Sequence, residues 1–331
     1  MNSRSALLTL SIAAVLAPAS AMGMASAELY TTSSYLYGRF DARVQFAPGD
    51  GVVSSFFLWK NGSATNTYWN ELDYEKIDAD CHMQLNDVYG EPSVQHQSTP
   101  TFNFDLCGGY HDYRFEWTPT YISWVVDGQE IRRDTGAAAT AFAQNATAGM
   151  TIHFNLWPGD SNFGGNINNT TLPVHQYISL VEYSSYDTDS GTFSLQWSQD
   201  FQSSDLPPGW ALGNWASPYN LSTHNPANVS FADGTAVLSL TADSATGYAG
   251  TPPADDGAGE ILGADGGAAG VPISTGGSSG AAGSTGAGNG TPGACAVVPQ
   301  RRRQAPGLIS ILAATTCLLV LGRARWRESH G

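Results

Sequence analysis

Basic side chains are the scarcest feature of this 331-residue sequence. It carries 14 Lys and Arg against 29 Asp and Glu, and their distribution is more lopsided than the totals. Arg4 stands alone before Glu28, while Arg301, Arg302, Arg303, Arg323, Arg325 and Arg327 crowd the tail. Between residues 28 and 300, seven basic residues face 28 acidic ones, a formal charge of −21. Such a body is excluded from electrostatic binding of nucleic acid or anionic lipid, because phosphate contacts need clustered positive charge. A neutral substrate is not excluded. Only 13% of residues are charged, and long apolar runs at helical spacing are missing, which argues against long amphipathic helices. The seven His show no metal-ligand spacing; the nearest pair, His82 and His96, suggests no site. No internal repeat is present.

The two ends read as targeting segments. Met1 to Arg4, an apolar stretch from Ala6 to Ala17 and the small-residue exit Ala25-Ser26-Ala27 have the order of a secretory leader, which places the leader at 1–27 and the start of the mature chain at Glu28. Residues 251–293 contain 14 Gly and no Lys or Arg, a composition that cannot bury a core; the linker is set at 249–300. Residues 301–331 hold an apolar span from Ala305 to Gly322 between two arginine clusters. Eighteen residues at about 1.5 Å rise just cross a bilayer, with the arginines that follow, Arg323, Arg325 and Arg327, on the cytoplasmic side. This tail resembles MYXO-CTERM bacterial sorting tails, in which a Gly-Cys pair marks processing; here Gly293-Ala294-Cys295 carries an extra Ala, and a plain membrane anchor is the alternative. The protein is thus expected to be secreted and held at the cell surface, touching membrane only through its tail, and monomeric.

The body, residues 28–248, alternates with period two. Phe40, Ala42, Val44 and Phe46 are set against Arg39, Asp41, Arg43 and Gln45, and Tyr113, Phe115 and Trp117 against Arg114 and Glu116, the pattern of half-buried strands. Ile122 to Val126 runs into Asp127-Gly128, a two-residue hairpin signal, before Ile131. Ala236, Leu238 and Leu240 repeat the alternation. The fold class is therefore all-β, a sandwich or jelly roll. Cys81 and Cys107 lie in this body, in a compartment that permits disulfides. A bridge between them is the expectation and two free thiols the alternative, since spacing does not show whether their Cα atoms come within about 7 Å.

The chemically informative segment is Trp69-Asn70-Glu71-Leu72-Asp73-Tyr74-Glu75. On a strand, Trp69, Glu71, Asp73 and Glu75 share one face and Leu72 and Tyr74 the other. Three acids on one face repel one another, a cost that is useful where shifted pKa values are needed. Two carboxyls about 5 Å apart flank the scissile bond of a retaining glycosidase. Glu71 and Glu75 would have to lean together over the shorter Asp73 on a curved sheet, because Cα atoms four apart on a flat strand are about 13 Å apart. The plain alternative is a solvated acidic face.

The motif resembles the Glu-x-Asp-x-Glu signature of glycoside hydrolase family 16, in its unbulged form. The resemblance extends to Tyr37-Gly38-Arg39-Phe40, Val53 to Phe57, His111 to Trp117 and Phe154-Asn155-Leu156-Trp157, and then to 192–241. It implies a two-sheet, concanavalin-like jelly-roll sandwich, with Glu71 as nucleophile, Asp73 assisting and Glu75 as acid/base. The unbulged form is that of bacterial lichenases, which cleave mixed-linkage β-1,3-1,4-glucan. Segments resembling the family's N-terminal strands, Trp197 to Trp215 and Asn220 to Leu240, follow the catalytic part, as in circularly permuted lichenases. By the same resemblance Trp69, Asn86, Asn155, Trp157 and Asn220 hold substrate. Asn155 and Trp157 share a strand face, where amide and indole groups suit sugar edges and rings. No cofactor is implied; members often hold a structural calcium, whose ligands the sequence does not place. The segment from 76 to 107 matches poorly. The reading is a surface-anchored, retaining endo-β-glucanase acting on mixed-linkage β-glucan; the alternatives are a β-1,3-glucanase or a hydrolase for another linear β-glucan, and a non-catalytic glycan-binding surface protein.

Overall fold

The computed structural model describes residues 23–63, 67–167 and 170–257. The residues before Gly23 that read as a leader, Cys295, the Ala305–Gly322 span and the arginine clusters lie outside the described residues. Among the described residues no helix is long and apolar enough to cross a membrane.

Sixteen strands follow one another in the order β1 (Met24–Thr31), β2 (Gly38–Gln45), β3 (Val52–Trp59), β4 (Trp69–Lys76), β5 (Met83–Gly90), β6 (Ser93–Gln95), β7 (His111–Trp117) and β8 (Tyr121–Val126). Then come β9 (Gln129–Thr135), β10 (Thr151–Pro158), β11 (Val174–Asp187), β12 (Thr192–Gln199), β13 (Trp210–Leu212), β14 (Thr223–His224), β15 (Val229–Ala232) and β16 (Thr235–Ala242). A single α-helix among the described residues, α1 (Ala137–Asn145), precedes β10. The hydrogen-bonded path runs β6-β5-β4-β3-β10-β1-β16-β11-β2-β7-β8-β9 and folds over at β1 into two layers, an all-β jelly-roll-like sandwich. The Asp127-Gly128 turn has φ of 48° and 75°, the left-handed pair that a tight two-residue hairpin needs.

Period-two alternation builds the core. Phe40, Ala42, Val44 and Phe46 of the second layer face Leu72, Tyr74, Phe56 and Phe154 of the first, all fully buried. Each large side chain contributes about 1.5–3 kcal/mol by leaving water. Two polar contacts pin strand β4 to the opposite layer. Tyr74 Oη lies 2.8 Å from Arg114 O and 3.0 Å from Val125 O, and Trp124 Nε1 donates to Asp73 O at 3.1 Å. Lys76 is buried too, its ammonium donating to Gly49 O (2.6 Å) and Val52 O (3.0 Å), so it points away from the acids. The Cys81 and Cys107 sulfurs are bonded, with Cα atoms 6.1 Å apart.

Both boundaries of the body move outward. Residues 24–27, read from the sequence as the end of the leader, form the first half of β1: Met24 and Ala25 pair with Ala242 and Thr241 of β16, and Ala27 pairs with Leu156 of β10. Ala25, Ala27 and Leu29 enter the core while Ser26, Glu28 and Tyr30 take the other face, so the strand has no break at Glu28. At the other end, residues 249–257, read as linker, return to the body. Asp255 accepts from Arg43 Nε (2.8 Å) and Nη2 (2.7 Å) and from Ser179 Oγ (2.6 Å), Arg43 Nη1 also donates to Asp112 (2.9 Å), and Pro252 is buried. Arg43 alternates with Ala42 and Val44, so this clamp sits on the outer face of the second layer, away from β4.

Hydrogen bonds to a charged partner contribute about 1.5–3 kcal/mol. Asp255→Ala should therefore lower the melting temperature by about 4–10 °C, and a body ending at residue 248 should melt as early; thermal unfolding followed by circular dichroism measures both.

Candidate active site

The outer face of the first layer forms a cleft of about 760 Å³. Register explains its floor. Antiparallel pairing aligns Glu71 with Trp59, Asp73 with Phe57 and Glu75 with Ser55, and on the next strand Trp59 with Thr151, Phe57 with His153 and Ser55 with Asn155. Residues of one parity thus line the groove across β4, β3, β10 and β1. Strand β4 pairs on both sides without a register shift, so Glu71, Asp73 and Glu75 remain on one face.

The three acids have different surroundings. Trp69 Nε1 donates to Glu71 Oε2 at 2.7 Å, and the Trp69 ring packs edge-on against Trp59, centroids 5.2 Å apart. Burial pushes Glu71 up to about 7; the Trp69 hydrogen bond opposes the shift and the nearby Glu28 adds to it. Glu75 is pushed to about 8, by burial and then by the charge of Glu71. Asp73 is raised well above the carboxylate range, by burial first and then by the charges of Glu71, Glu75 and Asp87. Of the two glutamates, the one with an indole donor is held the lower. Two neighbouring carboxyls held apart in this way can divide the roles of nucleophile and acid.

Of the substrate residues read from the sequence, Trp69, Asn86, Asn155 and Trp157 line the cleft and Asn220 does not. Asn220 is exposed at the end of the short 3₁₀ turn Pro218–Asn220, and its neighbour Tyr219 takes the rim instead, 6.1 Å from the Trp157 ring. Asn155 Oδ1 and Trp157 Nε1 are buried without a protein partner, as is Gln84 Oε1. An orphaned buried polar atom costs about 1–3 kcal/mol. The segment 76–107 enters the cleft through β5 and β6, with Gln84, Asn86, Val88 and Gln95.

Sequence reasoning missed Trp59, Phe57, Gln84, Glu28, His153, His224, Trp215 and Tyr219, all of which line the groove. Parity offered a signal for some of them, since Glu28 alternates with Ala27 and Leu29, and His153 shares its face with Asn155 and Trp157. A structural calcium finds no matching side-chain set among the described residues. The one group of three or more His, Cys, Asp or Glu atoms close enough to share an ion is Cys81, Asp105 and Cys107, whose sulfurs are joined to each other and are poor ligands for a hard cation.

Raised carboxyls destabilise the fold when they ionise. Their folded values lie above their unfolded ones, so the stability they provide is complete below the ordinary carboxylate range and is lost as pH rises through the folded values. Glu75→Gln should accordingly raise the melting temperature by a few degrees at pH 9, and by less at pH 5; paired thermal melts at the two pH values measure the difference.

Residues 2–199 match the family described as Glycosyl hydrolases family 16. The chain is 33% identical over 264 residues to a "Beta-glucanase" of Fibrobacter succinogenes, covering 76% of this chain and 74% of that protein. It is 32% identical over 161 residues to a "Beta-glucanase" of Paenibacillus macerans, 48% of this chain and 64% of that one. Among solved structures, the Bacillus licheniformis beta-glucanase is 28% identical, with 48% of this chain and 77% of that chain covered and a TM-score of 0.40. With a match over more than half of its length, and one relative aligned across about three quarters of both proteins, the chain belongs to family 16 of the glycosyl hydrolases.

Proposed function

We propose that this protein is an endo-β-glucanase that hydrolyses mixed-linkage β-1,3-1,4-glucan with retention of configuration. The observation that carries the reading is the regular strand on which Trp69 holds Glu71 while Glu75, two positions past Asp73, keeps its proton to higher pH. Glu71 attacks the anomeric carbon as Glu75 gives its proton to the leaving glycosidic oxygen. The C–O bond breaks and a glycosyl ester forms on Glu71. Glu75, now a carboxylate, takes a proton from a water that attacks the same carbon, and Glu71 departs. Asp73, protonated between the two glutamates, keeps a third negative charge out of the site. This chemistry requires no cofactor.

The choice of mixed-linkage glucan is supported by the unbulged motif, by the cleft parity of Trp69, Asn155 and Trp157, and by relatives named as beta-glucanases. A β-1,3-glucanase is the second reading, favoured by one observation: the divergent 76–107 segment contributes Gln84, Asn86 and Gln95 to the groove, beside Glu75. A permuted strand order is supported by the adjacency of the body's ends, where Asp243 N donates to Gly23 O at 2.8 Å. It is also supported by a family match that stops at 199 while folded strands continue to Ala242. In this reading a leader ends before Met24, and the protein is an exported monomer tethered through its Gly-rich segment and tail.

Reducing-end release by the chain on mixed-linkage glucan, β-1,3-glucan and a soluble β-1,4-glucan tests the assignment. Activity confined to the first is expected. Activity mainly on the second would transfer the protein to the β-1,3 reading, and glucan binding without release on any of the three would make it a binding protein. Glu71→Gln should lower kcat by about 10⁴-fold or more while glucan is still bound; wild-type-like turnover in this variant would remove Glu71 from the mechanism. The plot of kcat/KM against pH should rise as Glu71 ionises near pH 7 and fall as Glu75 loses its proton above about 8.

A further inference from the structure

The two sides of the cleft are held by different means. On the β1 side, among paired strands, Glu28 meets His153 Nδ1 at 2.8 Å and His224 Nε2 at 3.3 Å. The other side is the edge of the sheet, where β6 ends the hydrogen-bonded path and is only three residues long. Short edge strands fray unless something outside the ladder ties them down. Here the tie is Arg132 of β9, the strand at the far end of the same path. Arg132 Nη1 donates to His96 O at 2.6 Å, and Nη2 donates to the Asp87 carboxylate. Asp87 is 1% exposed, and its other oxygen lies 2.9 Å from His96 Nδ1. The guanidinium is itself fixed by Asp134, which accepts from Nε at 3.1 Å, and by the Trp124 ring, 4.3 Å from it.

His96, held through its carbonyl and its ring, directs its N–H at β5, 3.1 Å from Asp87 O and 3.2 Å from Asn86 Oδ1. A backbone N–H can only donate, so the oxygen arm of the Asn86 amide is the one turned to His96, and Nδ2 is the arm left to the groove. Register sets Asn86 directly across from Asp73, with Val88 across from Glu71 and Gln84 across from Glu75, so this amide stands beside the middle of the acid row. We infer that Arg132 is a positioning residue for substrate: by fixing His96 it fixes which arm of Asn86 faces the groove, and so presents an N–H donor to a sugar hydroxyl next to the acids. The inference rests on the β-glucan reading of the groove. Each link from Arg132 to Asn86 is a direct contact, and Arg132 itself lies outside the cleft lining. An untethered amide would divide its time between two orientations, of which one offers the donor.

The test is steady-state kinetics on whichever of the three glucans the chain cleaves fastest. Arg132→Lys keeps a cation over Trp124 and beside Asp87 but has no second arm for His96 O. It should raise KM about 3–10-fold, the worth of one hydrogen bond, and lower kcat much less. Asn86→Ala should raise KM by at least as much. In the double variant Arg132→Lys/Asn86→Ala, KM should be no higher than in Asn86→Ala alone, since the arginine acts through the amide. A merely structural role for Arg132 would reduce the folded fraction, lowering kcat at an unchanged KM; that result would overturn the inference, as would an Arg132→Lys effect on KM that persists in full without Asn86. Should Arg132→Lys fail to fold, His96→Pro removes the N–H that Asn86 accepts and should reproduce the rise in KM, and an unmoved KM there overturns the inference equally. A wild-type chain that binds glucan without releasing reducing ends would instead defeat the hydrolase proposed above, and the same variants would then be compared by their Kd for glucan, so the two failures are distinguishable.

Discussion

The whole site depends on β4 presenting opposite faces to opposite media. Leu72 and Tyr74 enter a core that excludes water, and this forces Glu71, Asp73 and Glu75 together on the other side. Apolar burial supplies the holding force, about 1.5–3 kcal/mol per large side chain. Direction comes from two buried hydrogen-bonding contacts to the other layer, Tyr74 against the Arg114 and Val125 carbonyls and Trp124 on the Asp73 carbonyl. A one-residue slip would send the acids inward and the tyrosine out. The repulsion among three carboxyls is thus sustained by packing on the reverse of the same strand, which fixes them close together with raised pKa values.

The same opposition of faces organises the rest of the cleft. Strands β3, β10 and β1 continue the register of β4, so an acid, a serine, an amide and another acid line up across the floor as Glu75, Ser55, Asn155 and Glu28. Aromatic rings occupy the flanks, with Trp59 and Trp69 in contact at one end and Trp157, Phe163 and Tyr219 at the other. Apolar faces and amide edges in alternation are the surfaces that a carbohydrate chain presents in complement.

What was legible in the sequence is what short-range alternation encodes. The shared face of Glu71, Asp73 and Glu75, the core residues of β2, β7 and β16, the Asp127-Gly128 turn and the shared face of Asn155 and Trp157 all follow from residues within one strand or hairpin. Glu28, His153 and His224 were not legible as a unit, because 125 and 71 positions separate consecutive members and no local pattern links them. Asn220, placed with the substrate residues by resemblance alone, lies in a turn with φ of 56° and outside the cleft lining. At both ends, pairing in the structure extends past the bounds that composition suggests. Ala25-Ser26-Ala27 has the small residues of a processing site, but those residues are also what a central strand can bury; and Pro252 to Asp255 belongs by composition to a Gly-rich linker but contains the carboxylate that Arg43 binds.

The position of β1 at the fold between the layers bears on how the molecule comes into being. Its partners in the cleft layer, β10 and β13, and in the other layer, β14 and β16, emerge from synthesis between about half and nearly all of the way along the body. Contacts of such long sequence separation close late. Glu28, at the centre of this strand, therefore reaches its two histidines only after the last strands have joined the sheet. A nascent or truncated chain can carry Glu71, Asp73 and Glu75 and still lack one wall of the groove. The architecture thus ties a complete cleft to a complete body.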